Sequence, residues 1–220
     1  MAEPRMKYGA WMVVFLAAGG TTAHKQALID GGLVPLLINM AAGGETEEAV
    51  KDMAAISVGN IALGGSQQQV EHVVECGGIQ YFCDRLDGDD SQRLSAMISV
   101  LDKILSAGEQ KQATEGLPDN PYCTLVDQAG GVDKIVELQA HNDMAIAAPA
   151  VLFLGTHFPD RVDGQRREAL IQAGAIQIDD EQGGEDGDSE SDGVGDLDTD
   201  SGSDGRSDGE VEVEVEGEEA

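Results

Sequence analysis

Histidine, cysteine, glycine and acidic residues are the types in this chain that can support catalysis, metal binding or phosphate binding, and their spacing supports none of these. The four histidines, His24, His72, His141 and His157, are far apart and accompany no serine or cysteine elbow, so packing or solvated roles are expected of them. Cys76, Cys83 and Cys123 form an odd set with no CxxC pair. That pattern points away from a disulfide framework or a zinc site, and towards small buried thiols in a reducing compartment. Glycine is abundant, at 29 residues, but neither GxGxxG nor a GxxxxGKS/T loop occurs, so helix-ending turns explain it better than phosphate cradles. Asp recurs at many alternate positions between 186 and 204. An EF-hand loop, however, sets its Gly and bidentate Glu between two helices, a context missing here. The expectation is a protein that is not an enzyme, with no cofactor and no metal.

Charge divides the chain. Of 220 residues 42 are acidic and 13 basic, a formal net charge of −29, and residues 179–220 hold 19 of the acids against Arg206 alone. A segment so charged and so poor in large apolar residues stays solvated. Two regions are therefore expected: an ordered one over 1–178 and a disordered acidic tail over 179–220. The alternation Glu210–Glu216 has strand period, yet its like charges oppose pairing. Nucleic acid and anionic membranes are poor partners for such a chain, because phosphate binding draws on Lys and Arg; basic peptides and proteins suit it better. Near the start, Arg5 and Lys7 precede the apolar stretch Ala10–Ala18, in the manner of a signal peptide. It falls short of the roughly 20 residues that span a bilayer. A secreted protein after signal cleavage is the lesser reading; the low cysteine content favours cytoplasm and nucleus.

What must position any site is a repeat, since self-similarity at 20–50 residues decides the fold. The run Asp30-Gly-Gly-Leu-Val-Pro-Leu-Leu-Ile38 recurs as Cys76-Gly-Gly-Ile-Gln-Tyr-Phe82, as Ala129-Gly-Gly-Val-Asp-Lys-Ile135 and as Ala173-Gly-Ala-Ile-Gln-Ile178. Counted from the first glycine, the intervals are 46, 53 and 44 residues. A second glycine pair keeps phase: Gly19-Gly20 precedes the first marker and Gly64-Gly65 the second. Between markers the apolar residues keep helical spacing, as in Val70, Val73 and Val74, or Leu94, Met97, Ile98, Leu101, Ile104 and Leu105. Each repeat reads as two or three short helices closed by glycine. Its apolar face needs a neighbouring repeat, which gives an all-α solenoid. The longer interval holds an insertion over about Gly108–Pro121, whose prolines and glycines predict a loop.

These residues resemble armadillo repeats, and in particular the C-terminal repeats of the importin-α (karyopherin-α) family. The likeness is densest over Gly116–Phe158, with Asn120-Pro-Tyr-Cys123, the Gly-Gly-x-Asp-Lys-Ile run and the Leu-Gln-x-His segment ending at His141; upstream, Leu101–Gln110 is similar to the helix that ends in Gly-Glu-Gln. It covers about Lys7 to Phe158. It implies an armadillo α-solenoid wound as a right-handed superhelix, of about three to four repeats with the first truncated. The implied function is that of an adaptor of nuclear import binding basic nuclear localisation signals.

In that family the inner surface holds a signal peptide through a Trp and, four residues later, an Asn. Such a pair shares one helix face; indole packs a Lys or Arg stem and attracts its cation, and the amide both donates to and accepts from an extended backbone. Here the positions fall on Trp11 and Phe15 in the first repeat and on Ile56 and Asn60 in the second, so one repeat keeps the Trp and the other the Asn. The acid that often sits three residues before the Trp is replaced by Tyr8 and Met53. A truncated scaffold that has lost cargo binding, and contacts only transport-factor proteins, is the alternative. The resemblance further implies contact with the importin-α export receptor through the last repeat, Leu125–Phe158. Met1–Lys7 supplies no substitute for the family's basic importin-β-binding segment, so that segment is read as absent. Two further expectations concern packing: Pro149, inside the last long helix, costs about 3 kcal/mol and kinks it, and an uncovered first repeat would leave a marginally stable monomer or self-associate through Ala10–Ala18.

Overall fold

A computed structural model describes residues 13–43 and 47–177, and all regular structure among them is helical. Residues 13–19 are helical (α1). There follow α2 (Thr22–Asp30), α3 (Leu33–Ala42), α4 (Glu48–Gly64), α5 (Gln67–Glu75), α6 (Gly78–Asp84), α7 (Ser91–Glu115), α8 (Pro121–Gln128), α9 (Gly131–Leu138) and α10 (Met144–His157). A 3-10 turn (Pro159–Arg161) and α11 (Gly164–Gln172) complete the order. The period is three helices: α2–α4, α5–α7 and α8–α10 each form a repeat, and α11 opens another. The third helix is long, not short, reaching 17 residues in α4 and 25 in α7. The acidic stretch 179–220 lies outside the described residues, as do Tyr8, Trp11 and the first three residues of the apolar segment Ala10–Ala18.

The two glycine markers do different jobs. Between the first and second helices the chain turns through a left-handed residue: Gly32 (φ 66°), Gly77 (φ 89°), Gly130 (φ 71°) and Gly174 (φ 70°). Only glycine adopts that backbone without a side-chain penalty. The structural register of the first repeat is therefore set by Gly32, one residue later than the sequence pattern placed it. Between the third helix and the next repeat, Gly20 and Gly65 are not left-handed; a Cβ there would run into the carbonyls of Leu16 and Ile61. One marker needs a conformation and the other needs room.

The expected insertion loop is helix. α7 exceeds α4 by eight residues, the same excess that the Gly77–Gly130 interval has over Gly32–Gly77. The extra residues prolong α7 by about two turns and leave only residues 116–120 as the connection. Lys111, bonded to Glu115 (2.6 Å) and 3.6 Å from Glu71 of α5, ties down the extension. Gly116 (φ 66°) then stops it. Gly and Pro mark a loop at 116–121, whereas Glu109–Glu115 are good helix formers.

The α10 helix runs from Met144 to His157 with Pro149 inside it. Proline there deprives the carbonyl of Ala145 of its partner. Ala145 sits in the first turn and is exposed, so water can serve that carbonyl instead.

Packing is continuous along the stack. One apolar cluster runs from Ala17 through Val58, Phe82, Leu101 and Ile135 to Leu154. A smaller one, built on Ala147, Val151, Leu170 and Ile176, joins α10 to α11. Each fully buried Leu, Ile or Phe contributes about 1.5–3 kcal/mol. Buried amides add register. Gln69, 2% exposed, accepts from the Ser66 N–H at the start of its own helix and donates to the Thr22 carbonyl of the preceding repeat. Asn120 does the same further on, its Oδ1 accepting from the Tyr122 N–H while Nδ2 donates to Leu105 O (2.8 Å). These bonds fix how the helix of one repeat meets the next, because a buried amide left unpaired costs about 1–3 kcal/mol.

Candidate functional site

The third helices of successive repeats pack side by side, α4 against α7 and α7 against α10. Between α4 and α7 lies an open groove of about 460 Å³. One wall is α4, with Ile56, Gly59, Asn60 and Leu63; the other is α7, with Ala96, Met97 and Val100; Arg85 and Arg93 stand at the end nearest the α7 N-terminus. The α4 wall follows from helical spacing. Ile56, Asn60 and Leu63 are four and three residues apart and share one stripe. The opposite stripe, with Ala54, Val58, Ile61 and Ala62, is buried. At Gly59 the two helices pass at ordinary packing distance: a Cβ there would meet Val100 Cγ2 at 3.5 Å.

The structure places two of the four expected site residues in this groove: Ile56, 52% exposed, and Asn60, half-buried. Phe15 is on α1, 75% exposed, and does not line it. Trp11 lies outside the described residues. Met53 at the acid position is half-buried, but its neighbour Asp52 reaches the groove.

The residues that sequence reasoning missed are cationic. Arg93 follows the Asp-rich turn at 87–90, and its Nη2 donates to Asp87 O (2.7 Å). Asp90 is already engaged, capping α7 by accepting from the Arg93 N–H (3.0 Å). Arg85 ends α6, with Nη1 donating to Ala41 O (3.2 Å) and Nη2 a long 4.0 Å from Asp52. Its guanidinium lies 5.5 Å from the Tyr81 ring centre. Arg85 Nε and Tyr81 Oη are buried with no hydrogen-bond partner among the described residues. Burial pushes the Tyr81 hydroxyl up to about 12, with the Arg85 charge partly opposing. The signal that could have found these residues was the placing of two arginines on either side of an acidic turn, legible only once the turn is known to face α4.

The groove offers apolar surface, the side-chain amides of Asn60 and Gln92, the carboxylates of Asp52 and Asp90, and two guanidinium groups. It offers no nucleophile and base in reach of one another. Burial pushes the Cys83 thiol up to about 12 and also raises Cys76 and Cys123. Cys83 is fully buried; the other two are half-buried. Cys76 sits 3.5 Å from His72 Nε2, outside the groove.

Comparison with known proteins supports the repeat reading. Residues 120–172 match the family model of the atypical Arm repeat. Importin subunit alpha-5 of Arabidopsis thaliana is 31% identical over 142 residues, covering 64% of this chain and 27% of that protein. Importin subunit alpha-2 of the same plant is 35% identical over 101 residues, covering 46% and 19%. The yeast importin subunit alpha is 28% identical over 94 residues, covering 43% and 17%. The chain thus spans little more than a quarter of the length of these relatives at most. Among solved structures, a designed armadillo repeat protein superposes with a TM-score of 0.56 at 18% identity, over 79% of this chain and 66% of that one. A second, crystallised with the peptide (KR)4, gives 0.54 at 21% identity, over 79% and 65%. The described helices have the armadillo-repeat fold, residues 120–172 match the atypical Arm repeat, and the chain is similar in sequence to importin-α subunits.

Proposed function

We propose that this chain is a non-enzymatic adaptor of nuclear protein import, working in cytoplasm and nucleus, that holds an extended segment of a partner protein in the groove between α4 and α7. The observation that carries this reading is Asn60 on the groove wall beside exposed Ile56 and Leu63. A side-chain amide there offers both a donor and an acceptor to a passing backbone, while the apolar neighbours cover its side chains. The similarity to importin-α subunits supports basic nuclear localisation signals as the cargo, and likewise a contact with the export receptor through α8–α10.

A second reading has its own support. With Ile56 at the indole position there is no aromatic face for a cation on this helix, and Arg85 and Arg93 offset the charge of the two acids that line the groove, Asp52 and Asp90. These side chains favour a scaffold that has lost basic cargo.

Fluorescence anisotropy of the full chain with a labelled Lys/Arg-alternating peptide, beside Asn60→Ala, tests the adaptor reading. Saturation below ~100 µM, weakened about tenfold by Asn60→Ala, is expected of a cargo receptor. No saturation, together with capture of the export receptor, supports the scaffold.

A further inference from the structure

We infer that the α4–α7 groove takes an extended, uncharged segment anchored by one large apolar side chain, so that charge has little part in its choice of partner. This rests on the reading of the groove as a peptide site and names the class of segment it takes. The charged groups of the groove lie at one end and balance. Asp52 and Asp90 stand there with Arg85 and Arg93, two acids with two bases, and Asp52 Oδ1 is 4.0 Å from Arg85 Nη2. That end carries no net charge to draw a partner of either sign. Beyond it the walls carry no charge at all: from Met53 to Gly64 on α4, and from Leu94 to Leu101 on α7, every residue is apolar or neutral polar. A lysine or arginine laid along these walls gives up water without meeting a carboxylate, which is costly; an apolar side chain gains by the same burial.

What the walls offer instead is apolar surface. Ile56 and Leu63, 52% and 42% exposed, stand on one stripe of α4 and face the α7 wall of Ala96, Met97 and Val100. Exposed side chains of that size on one stripe mark a surface to be covered. Asn60 lies between them on the stripe, where its amide can hold the backbone of a segment whose side chain the apolar residues bury. At about 460 Å³ the groove falls in the range of pockets that enclose an organic group. The same character continues onto the third helix of the next repeat: α10 has no Asp, Glu, Lys or Arg, and its Met144 and Leu152 are exposed.

The test uses the full chain and two labelled ten-residue probes, one of leucines spaced by serine, the other alternating lysine and arginine. The expected result is saturation by the Leu/Ser probe below ~100 µM, at least about tenfold tighter than the basic probe. Its dissociation constant is expected to change less than about threefold between about 0.05 and 0.5 M salt, since no pairing of charges is there to be screened. Ile56→Ser and Leu63→Ser should each raise it at least about tenfold. Both side chains are exposed, so an unchanged circular-dichroism melt separates lost binding from lost folding. Leu36→Ser, which removes an equally exposed side chain on α3 outside the groove, should leave binding as it was. If the basic probe binds tighter than the Leu/Ser probe, the peptide groove stands and this inference falls. Leu/Ser binding that is lost in salt, or is indifferent to Ile56→Ser and Leu63→Ser, also overturns it. If neither probe saturates, the groove reading falls as well.

Discussion

His157 Nε2, at the end of α10, lies 2.9 Å from Asp102 Oδ1 on α7, while the opposite ring nitrogen lies 3.1 Å from Glu109 Oε1. The imidazole side chain is 1% exposed and packs 5.2 Å from the Phe153 ring. Two carboxylates a helix turn or two apart thus clamp the last long helix of one repeat onto its neighbour. His157→Ala removes both bonds and the ring contact; a loss of about 1–3 kcal/mol is expected, read as a lower urea midpoint. An unchanged midpoint would show that the carboxylates, half in water, contribute nothing through the ring.

Gly108 gives a prediction whose sign opposes helix propensity. In the interior of α7, Gly→Ala ordinarily stabilises by up to about 1 kcal/mol. Here the added Cβ would collide with Asn120 Oδ1 and approach Tyr122 Cδ2 to 2.8 Å. Gly108→Ala is therefore expected to destabilise by about 1–3 kcal/mol, whereas Gly59→Ala, with 3.5 Å to Val100, is neutral or stabilising. Thermal melts of the two variants side by side check the contrast.

Asn120→Ala strips the cap from α8 and leaves the Leu105 carbonyl without its side-chain donor. The two losses together cost about 1–3 kcal/mol. Hydrogen exchange is expected to quicken first in α8, where Asn120→Asp restores the cap but not the donor.

Alkali should destabilise the fold from about pH 9 upward. Burial raises Tyr81 from 10.0 and Cys83 from 9.0 to about 12 each. Between those values the unfolded chain has released protons that the folded one keeps, so it binds fewer protons and stability falls as pH rises. Urea midpoints in reductant from pH 8 to 11 should fall for the parent chain and fall less steeply for Tyr81→Phe, whose missing hydroxyl has no partner to lose.

The repeat and its helices were legible because they are local: apolar spacing fixes a helix face, and the Gly32, Gly77 and Gly130 turns need the one residue without a Cβ. The length of α7 is less legible, because Gly and Pro at 116–121 signal a loop while the residues just before them continue the helix to Glu115. The site was half legible. Ile56 and Asn60 come from the resemblance to the family's Trp and Asn positions, and the structure sets them in one groove wall.

What sequence alone determined, then, is the order of helices, their apolar faces and the turns between them, since these depend on contacts within a few residues. Tertiary structure decided the rest. Asp102 and Glu109 reach His157 across 55 and 48 residues, and Arg85 and Arg93 come to face α4 only because α6 and α7 stack on the preceding repeat. No periodicity carries that information: it arises where the buried faces of two repeats fix the distance between side chains that the chain itself keeps far apart.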